Sequence, residues 1–272
     1  MSSPSLRTLL VAVIAGVAHL GVVEFLFRWL GHVPDSLWPL ASVSSAAFVF
    51  AFGFLAVLCS AHTRLLSPLV GLSTLLAWAT YRDVASPAPE WSELGGYLVV
   101  DGAVYLTSYA GTWYVWLATL VVLAAVEYGL RYHYGIGDGQ LRNLPPLPLG
   151  RRVTALVAGA VGGAFGVAVV AWMAGIGVNP AGIVPVLAVT TALAAAVPVG
   201  AAVARGLVAP SACFLALVVP VLLNQTFVGG EGGPVFLLLL GPLAVGFAIV
   251  GLLENALRSR LSGRLGSSGA DG

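Results

Sequence analysis

The chain has 272 residues, of which 59% are hydrophobic and only 8% are charged. Soluble globular domains carry about 25% charged residues, so this composition excludes a soluble protein. The formal net charge of +1 provides no basic surface for nucleic acid, and we expect no nucleic-acid partner. All twelve cationic side chains other than histidine are arginine, which is typical of a GC-rich prokaryotic genome.

Apolar stretches long enough to cross a membrane recur along the chain. A transmembrane α-helix needs about 20 predominantly apolar residues. This criterion predicts eight spans, with approximate cores at 8–28, 38–58, 65–81, 113–130, 153–175, 181–203, 207–224 and 235–256. The predicted fold class is therefore all-α, a polytopic helical bundle in the lipid bilayer.

The placement of arginine predicts how these spans are oriented. Cytoplasmic loops retain positive charge, and with the N-terminus inside, ten of the twelve arginines fall on the cytoplasmic side. The two exceptions are Arg28 and Arg82. The sequence therefore predicts a multi-pass protein of the cell membrane with both termini cytoplasmic.

Labelling checks this orientation. In a background with Cys59 and Cys213 replaced by serine, a cysteine placed at Ser92 should react with a membrane-impermeant thiol reagent in intact cells, because the predicted loop is external. A reporter fused after Arg264 should lie in the cytoplasm. Labelling at position 92 only after lysis would contradict the orientation.

The longest predicted outer loop runs from Asp83 to Gly111. Within it, YLVVDGAVYL places Asp101 and Gly102 between two strand-like runs. Asp-Gly in this setting is a strong hairpin signal, because both central turn positions need positive φ. We expect either a β-hairpin that turns at Asp101 and Gly102, or a re-entrant or interfacial helix.

The stretch 135–150, GIGDGQLRNLPPLPLG, is predicted to be a cytoplasmic linker, since its glycines and prolines interrupt helices. It separates a first membrane half, 1–134, from a second, 151–258, with four predicted spans each. The polar tail 259–272 is predicted to be disordered. Each third span follows an arginine, and each fourth ends on a similar phrase. We infer an internal 4+4 repeat, which is parallel because four is even.

A short phrase with glutamate four residues before arginine occurs three times, as VEFLFR at 23–28, VEYGLR at 126–131 and LENALR at 253–258. Glutamate and arginine at this spacing face each other on a helix, in the order that suits the helix dipole. Because the first copy is predicted at the outer face and the other two at the inner face, a shared catalytic role is not expected. The phrases predict ion pairs that end helices.

Glycine spacing predicts where two helices pack closely. The fifth span contains Gly159, Gly162, Gly163 and Gly166, which form two overlapping small-xxx-small spacings. Small residues at this spacing let helix backbones approach each other in membranes.

Polar residues near the predicted outer ends of spans are the candidate substrate-binding residues. They are His19, Glu24, Arg28, Asn179, Asn224 and Gln225. Buried polar groups without partners are costly, so we expect these side chains to converge on an outward-facing pocket between the halves, near Pro185 and Pro220. The alternative for His19 is a hydrogen bond to a neighbouring helix. We predict no catalytic residue, metal ligand or cofactor.

Three functions are compatible with this pattern. The first is a small-solute transporter or permease-like protein, which the prolines of the second half favour because broken helices recur in transporters. The second is a non-catalytic membrane subunit or scaffold that acts through a membrane-protein partner or a second copy of the chain. The third is an intramembrane enzyme built on Cys59 and His62 in CSAHTR. The ligand expected for the first is a small polar solute.

Overall fold

The computed structural model describes residues 3–31, 43–95, 97–102, 104–177, 183–228 and 239–267. These residues are predominantly α-helical, and seven of their helices are long and apolar enough to cross a membrane. This confirms the coarse prediction of a helical, multi-spanning membrane protein.

The first group of elements precedes residue 135. In chain order they are α1 (Leu6–Leu30), α2 (Val43–Thr63), α3 (Ser67–Ala85), β1 (Glu90–Leu94), β2 (Tyr97–Asp101), α4 (Tyr105–Gly111) and α5 (Trp113–Tyr134). A 3₁₀ turn, Asp138–Gln140, follows, and then α6 (Arg151–Gly175) and α7 (Val184–Arg205). The next helix changes its winding along its length, as α8 (Ala209–Cys213), π1 (Phe214–Val218), α9 (Val219–Leu223) and π2 (Asn224–Val228). The last element is α10 (Leu240–Ser267).

One predicted span, 65–81, differs from the other seven. It corresponds to α3, which is not among the helices apolar enough to cross a membrane. The physical reason is that α3 continues to Ala85 and so includes Arg82 and Asp83 in its last turn. The passage of α3 through the bilayer stays a prediction.

The last helix extends further than the sequence predicts. The expected span ends at 256, whereas α10 continues through Ser267. Residues 259–267 of the tail predicted to be disordered are therefore helical. They contain no proline, and Leu and Arg alternate there with serine and glycine, so no residue stops the helix.

The chain forms two compact units. Unit 1 comprises 1–124, 139–144 and 222–233, and unit 2 comprises 125–138, 145–221 and 234–272. The border between them thus falls within α5 and within the segment 135–150. The internal 4+4 repeat stays a prediction.

In unit 1, α1 and α2 pack closely along a stripe of α1 residues spaced three or four apart. The buried members of this stripe are Ala12, Gly16, His19, Val23 and Phe27. A β-carbon at Gly16 would lie 2.7 Å from the ring of Phe50 on α2. Glycine at this position therefore allows the close approach of the two helices.

In unit 2, α6 packs against α7 through two of the four glycines of the predicted motif. A β-carbon at Gly162 would lie 2.4 Å from the carbonyl oxygen of Ala192, and one at Gly166 would lie 2.6 Å from that of Ala188. A β-carbon at Gly159 or Gly163 would meet nothing within 4 Å. Only the 162/166 pair is thus a close helix contact.

The loop predicted to be external contains a β-hairpin, but its turn is not the predicted one. β1 and β2 are antiparallel, with Glu90 opposite Asp101 and Leu94 opposite Tyr97. The turn therefore lies between Leu94 and Tyr97, where Gly95 has a φ of 61°. Asp101 ends the second strand, and the apolar run that follows Gly102 becomes α4 instead of a strand.

All three glutamate–arginine phrases form ion pairs, as the spacing predicts. The prediction that each phrase ends its helix is wrong for the third, because α10 continues beyond Arg258 to Ser267. The shortest N–O distance is 2.7 Å for Glu24 and Arg28 and 3.0 Å for Glu127 and Arg131, and Glu254 pairs with Arg258. Glu254 also accepts hydrogen bonds from the backbone N–H groups of Val208 (3.1 Å) and Ala209 (2.8 Å). Its carboxylate therefore caps α8 in addition to pairing within α10.

The different contacts of these three glutamates predict how much stability each one contributes. Glu24→Gln should cost about 0.3–0.5 kcal/mol, because exposed i,i+4 pairs contribute little. Glu127→Gln should cost slightly more, since that pair is less exposed. Glu254→Gln should cost about 1–2 kcal/mol, because it weakens a helix cap. Thermal unfolding of the purified variants in detergent measures the order, and equal losses for all three would contradict the capping role of Glu254.

Candidate functional site

His19 is the buried polar residue of α1, with 8% of its surface exposed. Its Nδ1 lies 2.9 Å from the carbonyl oxygen of Val49, and its Nε2 lies 2.7 Å from the hydroxyl of Tyr109. A carbonyl oxygen only accepts hydrogen bonds, so Nδ1 carries a proton and donates to Val49. In the neutral ring, Nε2 then accepts a hydrogen bond from Tyr109.

The surroundings of His19 fit this arrangement. Burial raises the pKa of Tyr109, so its phenol keeps the proton that it donates. Gly53 on α2 leaves room for the imidazole, because a β-carbon there would lie 2.6 Å from Cβ of His19. Phe52 adds an edge-on contact, with ring centroids 6.0 Å apart. His19 is thus held between α2 and α4 by both of its ring nitrogens.

Asp83, at the end of α3, fixes the start of α4. Its two carboxylate oxygens accept hydrogen bonds from the backbone N–H groups of Tyr105 (2.9 Å) and Leu106 (2.7 Å). Asp83 is only 3% exposed, and a carboxylate at a helix N-terminus is also favoured by the helix dipole. This contact explains why residues predicted to form a strand begin a helix.

Arg82 and three aromatic residues complete the contacts of α4. Arg82 donates a hydrogen bond from Nη2 to the hydroxyl of Tyr105 at 2.6 Å. The ring centroid of Phe227, from π2, lies 4.8 Å from that of Trp78 and 6.4 Å from that of Tyr105. We call the set of residues around α4 the α4 cluster: His19, Trp78, Arg82, Asp83, Tyr105, Tyr109 and Phe227. All of them belong to unit 1.

A cavity of about 390 Å³ lies beside α4. Its lining includes Ser45 and Phe48 of α2, Thr107 of α4 and Tyr114 of α5. Binding pockets for small molecules measure about 300–1,000 Å³, so the volume of this cavity lies within the range of such pockets.

The predicted site residues are distributed in three ways. His19 belongs to the α4 cluster, and Gln225 (5% exposed) and the exposed Asn224 lie on π2, which contributes Phe227 to it. Glu24 and Arg28 bind each other, and their spacing from His19 turns them to another face of α1. Asn179 lies outside the described residues. The convergence of these residues on one pocket stays a prediction.

Sequence reasoning missed Asp83, Tyr105 and Tyr109 as members of the site. The sequence pattern places Asp83 at the start of the predicted loop and Tyr105 in a strand-like run, and it does not single out Tyr109. One signal is present in the sequence: Asp83 lies two residues beyond the predicted apolar span 65–81, and ionisable residues at such positions usually have a specific partner.

The chemistry of the α4 cluster is that of hydrogen bonding. Its imidazole, phenols and carboxylate form hydrogen bonds with one another, with Arg82 or with the backbone of α2 and α4. Among the described residues, no group of three or more His, Cys, Asp and Glu residues is placed to hold a metal ion.

His62, from the CSAHTR segment, contacts Asn143. Nδ2 of Asn143 lies 3.3 Å from Nδ1 of the His62 ring, and it also donates a hydrogen bond to the carbonyl oxygen of His62 at 2.8 Å.

The chain matches no protein-family model, no curated protein and no solved structure.

Proposed function

We propose that this membrane protein is a small-solute transporter or permease-like protein. The observation that carries the proposal is the interrupted span Ala209–Phe227. Two of its segments, π1 and π2, have π-helical winding, which is frequent at functional sites.

The interruption changes the hydrogen bonds of the backbone. The N–H group of Val219 donates to the carbonyl of Phe214, five residues earlier. Pro220 has no N–H group to donate. The carbonyl of Leu215 thereby loses the donors that α-helical and π-helical winding would each supply. In a membrane, such a carbonyl needs another partner, and a polar solute or ion can be that partner.

The positions of the other prolines make Pro220 distinctive. Pro185 and Pro210 lie in the first turns of α7 and α8, where the missing N–H group would have no partner within the helix. Pro198 lies inside α7, which nevertheless keeps α-helical winding from Val184 to Arg205. The described helical residues thus contain one proline that accompanies a change of winding.

The cavity beside α4 supplies the second argument for a solute. Its volume of about 390 Å³ suits a small molecule, and Ser45, Thr107 and Tyr114 are the polar residues of a lining that is otherwise mostly apolar. His19 and the buried Gln225 are further hydrogen-bonding groups of unit 1.

Osmotic flux through proteoliposomes tests the proposal. Vesicles that contain the purified protein are exposed in a stopped-flow instrument to hypertonic glycerol, urea, xylitol or glycine. We expect at least one of these solutes to re-swell them faster than protein-free vesicles. Pro220→Ala, which restores the N–H group, should change that rate, whereas the matched variant Pro185→Ala should not. Rates equal to those of empty vesicles for the whole panel would contradict the proposal for these solutes.

A non-catalytic membrane subunit is the second candidate, and the β-hairpin favours it. Glu90, Ser92, Glu93 and Leu94 are exposed, and within the described residues β1 and β2 form a sheet of two strands only. Unpaired strand edges are templates for pairing with another chain. If the partner is a second copy, Glu93→Cys should form disulfide-linked dimers in the membrane, whereas the exposed Tyr81→Cys on α3 should not.

A further inference from the structure

A basic cavity in unit 1 has no part in the proposed transport. It measures about 670 Å³, and its lining joins the start of α1, the end of α2 and the segment 139–144. Arg7, Arg64 and Arg142 all line it, together with His62 and Asn143. No carboxylate is present among its described lining residues, so the arginines make it a site for an anion.

The backbone around this cavity is held in an unusual conformation. Arg64 has a φ of 66° and Asn143 a φ of 58°, and they are the two non-glycine residues with positive φ in the described chain. Arg64 directly follows the last residue of α2, a position where glycine is the common choice. Strained residues cluster at functional sites, so the positive φ of Arg64 favours a functional role for this residue.

Hydrogen bonds fix the segment 139–144 against α2. The N–H group of Arg142 donates to the carbonyl of Thr63 at 3.2 Å, and Asn143 donates from Nδ2 to the carbonyl of His62 at 2.8 Å. Arg142 is thereby placed beside Arg64 by its own backbone and by its neighbour. The arginines are brought together by folding, although about 80 residues separate them in the sequence.

An apolar cavity of about 370 Å³ adjoins the basic one. Leu55 and Leu58 of α2 and Leu117, Leu120 and Val121 of α5 line it. His62 lines both cavities, and the N-terminal segment borders both, through Ser3 on the basic side and Pro4 on the apolar side. The basic cavity and the apolar cavity are thus neighbours that share His62 as a lining residue.

We propose that the two cavities together bind one anionic phospholipid, with its phosphate among the arginines and an acyl chain in the apolar cavity. Arginine binds phosphate through two parallel hydrogen bonds, and basic pockets between membrane helices bind lipid headgroups. The basic cavity lies where α1 begins and α2 ends, and the ends of helices that span a bilayer meet its headgroup region. A free phosphate would use the basic cavity alone. This inference is independent of transport.

Native mass spectrometry of the full chain in detergent, with phosphatidylglycerol, phosphatidylcholine or inorganic phosphate added, tests the proposal. We expect retention of phosphatidylglycerol in preference to the other two. Arg64→Gln and Arg142→Gln should each weaken its binding about fivefold, as expected for one basic side chain at a lipid headgroup. Arg205→Gln, which changes an exposed arginine outside the cavity, is the matched control and should have no effect.

Two further variants separate lipid binding from other roles. Val121→Trp fills the apolar cavity and should weaken phosphatidylglycerol binding, whereas Val167→Trp on the exposed face of α6 should not. Arg64→Gly relieves the strained φ, so it should raise the melting temperature of the lipid-free protein and still weaken lipid binding. A structural arginine would lower the melting temperature instead. The proposal would be overturned if phosphatidylcholine were retained as strongly as phosphatidylglycerol. It would also be overturned if inorganic phosphate bound as strongly as phosphatidylglycerol and Val121→Trp had no effect.

Discussion

Replacing both Gly162 and Gly166 with alanine is expected to destabilise the α6–α7 pair by about 2–6 kcal/mol, since each added β-carbon overpacks the contact at a cost of about 1–3 kcal/mol. At Gly162 it would lie 2.4 Å from the carbonyl oxygen of Ala192. A backbone oxygen in a helix cannot rotate away as a side chain can. The two helices must therefore move apart, which loses the contacts along their whole interface.

Gly159 and Gly163 provide the matched control on the same helix. A β-carbon at either position would meet nothing within 4 Å. The double variant Gly159→Ala/Gly163→Ala should therefore be neutral or more stable by about 0.4–1 kcal/mol per site, because alanine restricts the unfolded chain. Unfolding in a titration with SDS, followed by tryptophan fluorescence, measures both pairs. Similar losses for the two double variants would show that the α6–α7 contact is not set by Gly162 and Gly166.

Asp83→Ala is expected to destabilise unit 1 by about 2–6 kcal/mol, because two buried backbone donors lose their acceptor at about 1–3 kcal/mol each. The donors are the N–H groups of Tyr105 and Leu106, which Asp83 binds at 2.9 and 2.7 Å. Asp83→Asn keeps one acceptor oxygen, so its loss should be about half as large. The damage should concentrate in α4, and limited proteolysis between 86 and 112 should become faster.

Asp101→Ala is the control for this prediction. Asp101 lies in the same loop and carries the same charge, but it is exposed at the end of β2. Its replacement should change the free energy of unfolding by less than about 0.5 kcal/mol, as for most exposed positions. Thermal unfolding in detergent compares the three variants. An Asp83→Ala protein as stable as Asp101→Ala would mean that α4 forms without its carboxylate cap.

Loss of α4 would also remove a hydrogen bond of His19. Tyr109 on α4 donates to Nε2 of His19, so a displaced α4 leaves a buried imidazole nitrogen without its donor. Phe227 of π2 would lose its contact with Tyr105 at the same time. We therefore expect Asp83→Ala to disturb α1 and π2 as well as the loop, and hydrogen exchange of those segments measures this spread.

The positions of the membrane helices were predictable because they depend on local composition. A run of about 20 apolar residues is favoured as a helix in a bilayer whatever surrounds it, since every backbone group is then paired within the run. The three glutamate–arginine pairs were predictable for a related reason. Their partners lie four residues apart on one helix, and no other part of the chain is needed to bring them together.

The loop 83–111 was less predictable, because its structure depends on residues that are distant in the chain. The run after Gly102 is equally apolar as a strand or as a helix, so its own sequence does not decide between them. Asp83, 22 residues before Tyr105, decides it by accepting two N–H groups at the start of α4. The hairpin turns at Gly95, which also adopts a positive φ, and not at the predicted Asp101-Gly102. Asp101 therefore lies opposite Glu90 in the two-stranded sheet.

The sequence by itself determined the class of this protein, its helices and its local ion pairs, because short-range periodicity and the membrane solvent are enough to specify them. The tertiary structure alone decided which glycines face a neighbour, which glutamate caps a second helix and which arginines share a cavity. Gly162 and Gly163 are adjacent in the chain, yet only the first faces α7 closely. Arg64 and Arg142 are far apart in the chain, yet they line one cavity. Such relations depend on the rotation and docking of whole helices, which are set by the summed packing of many residues rather than by any short stretch.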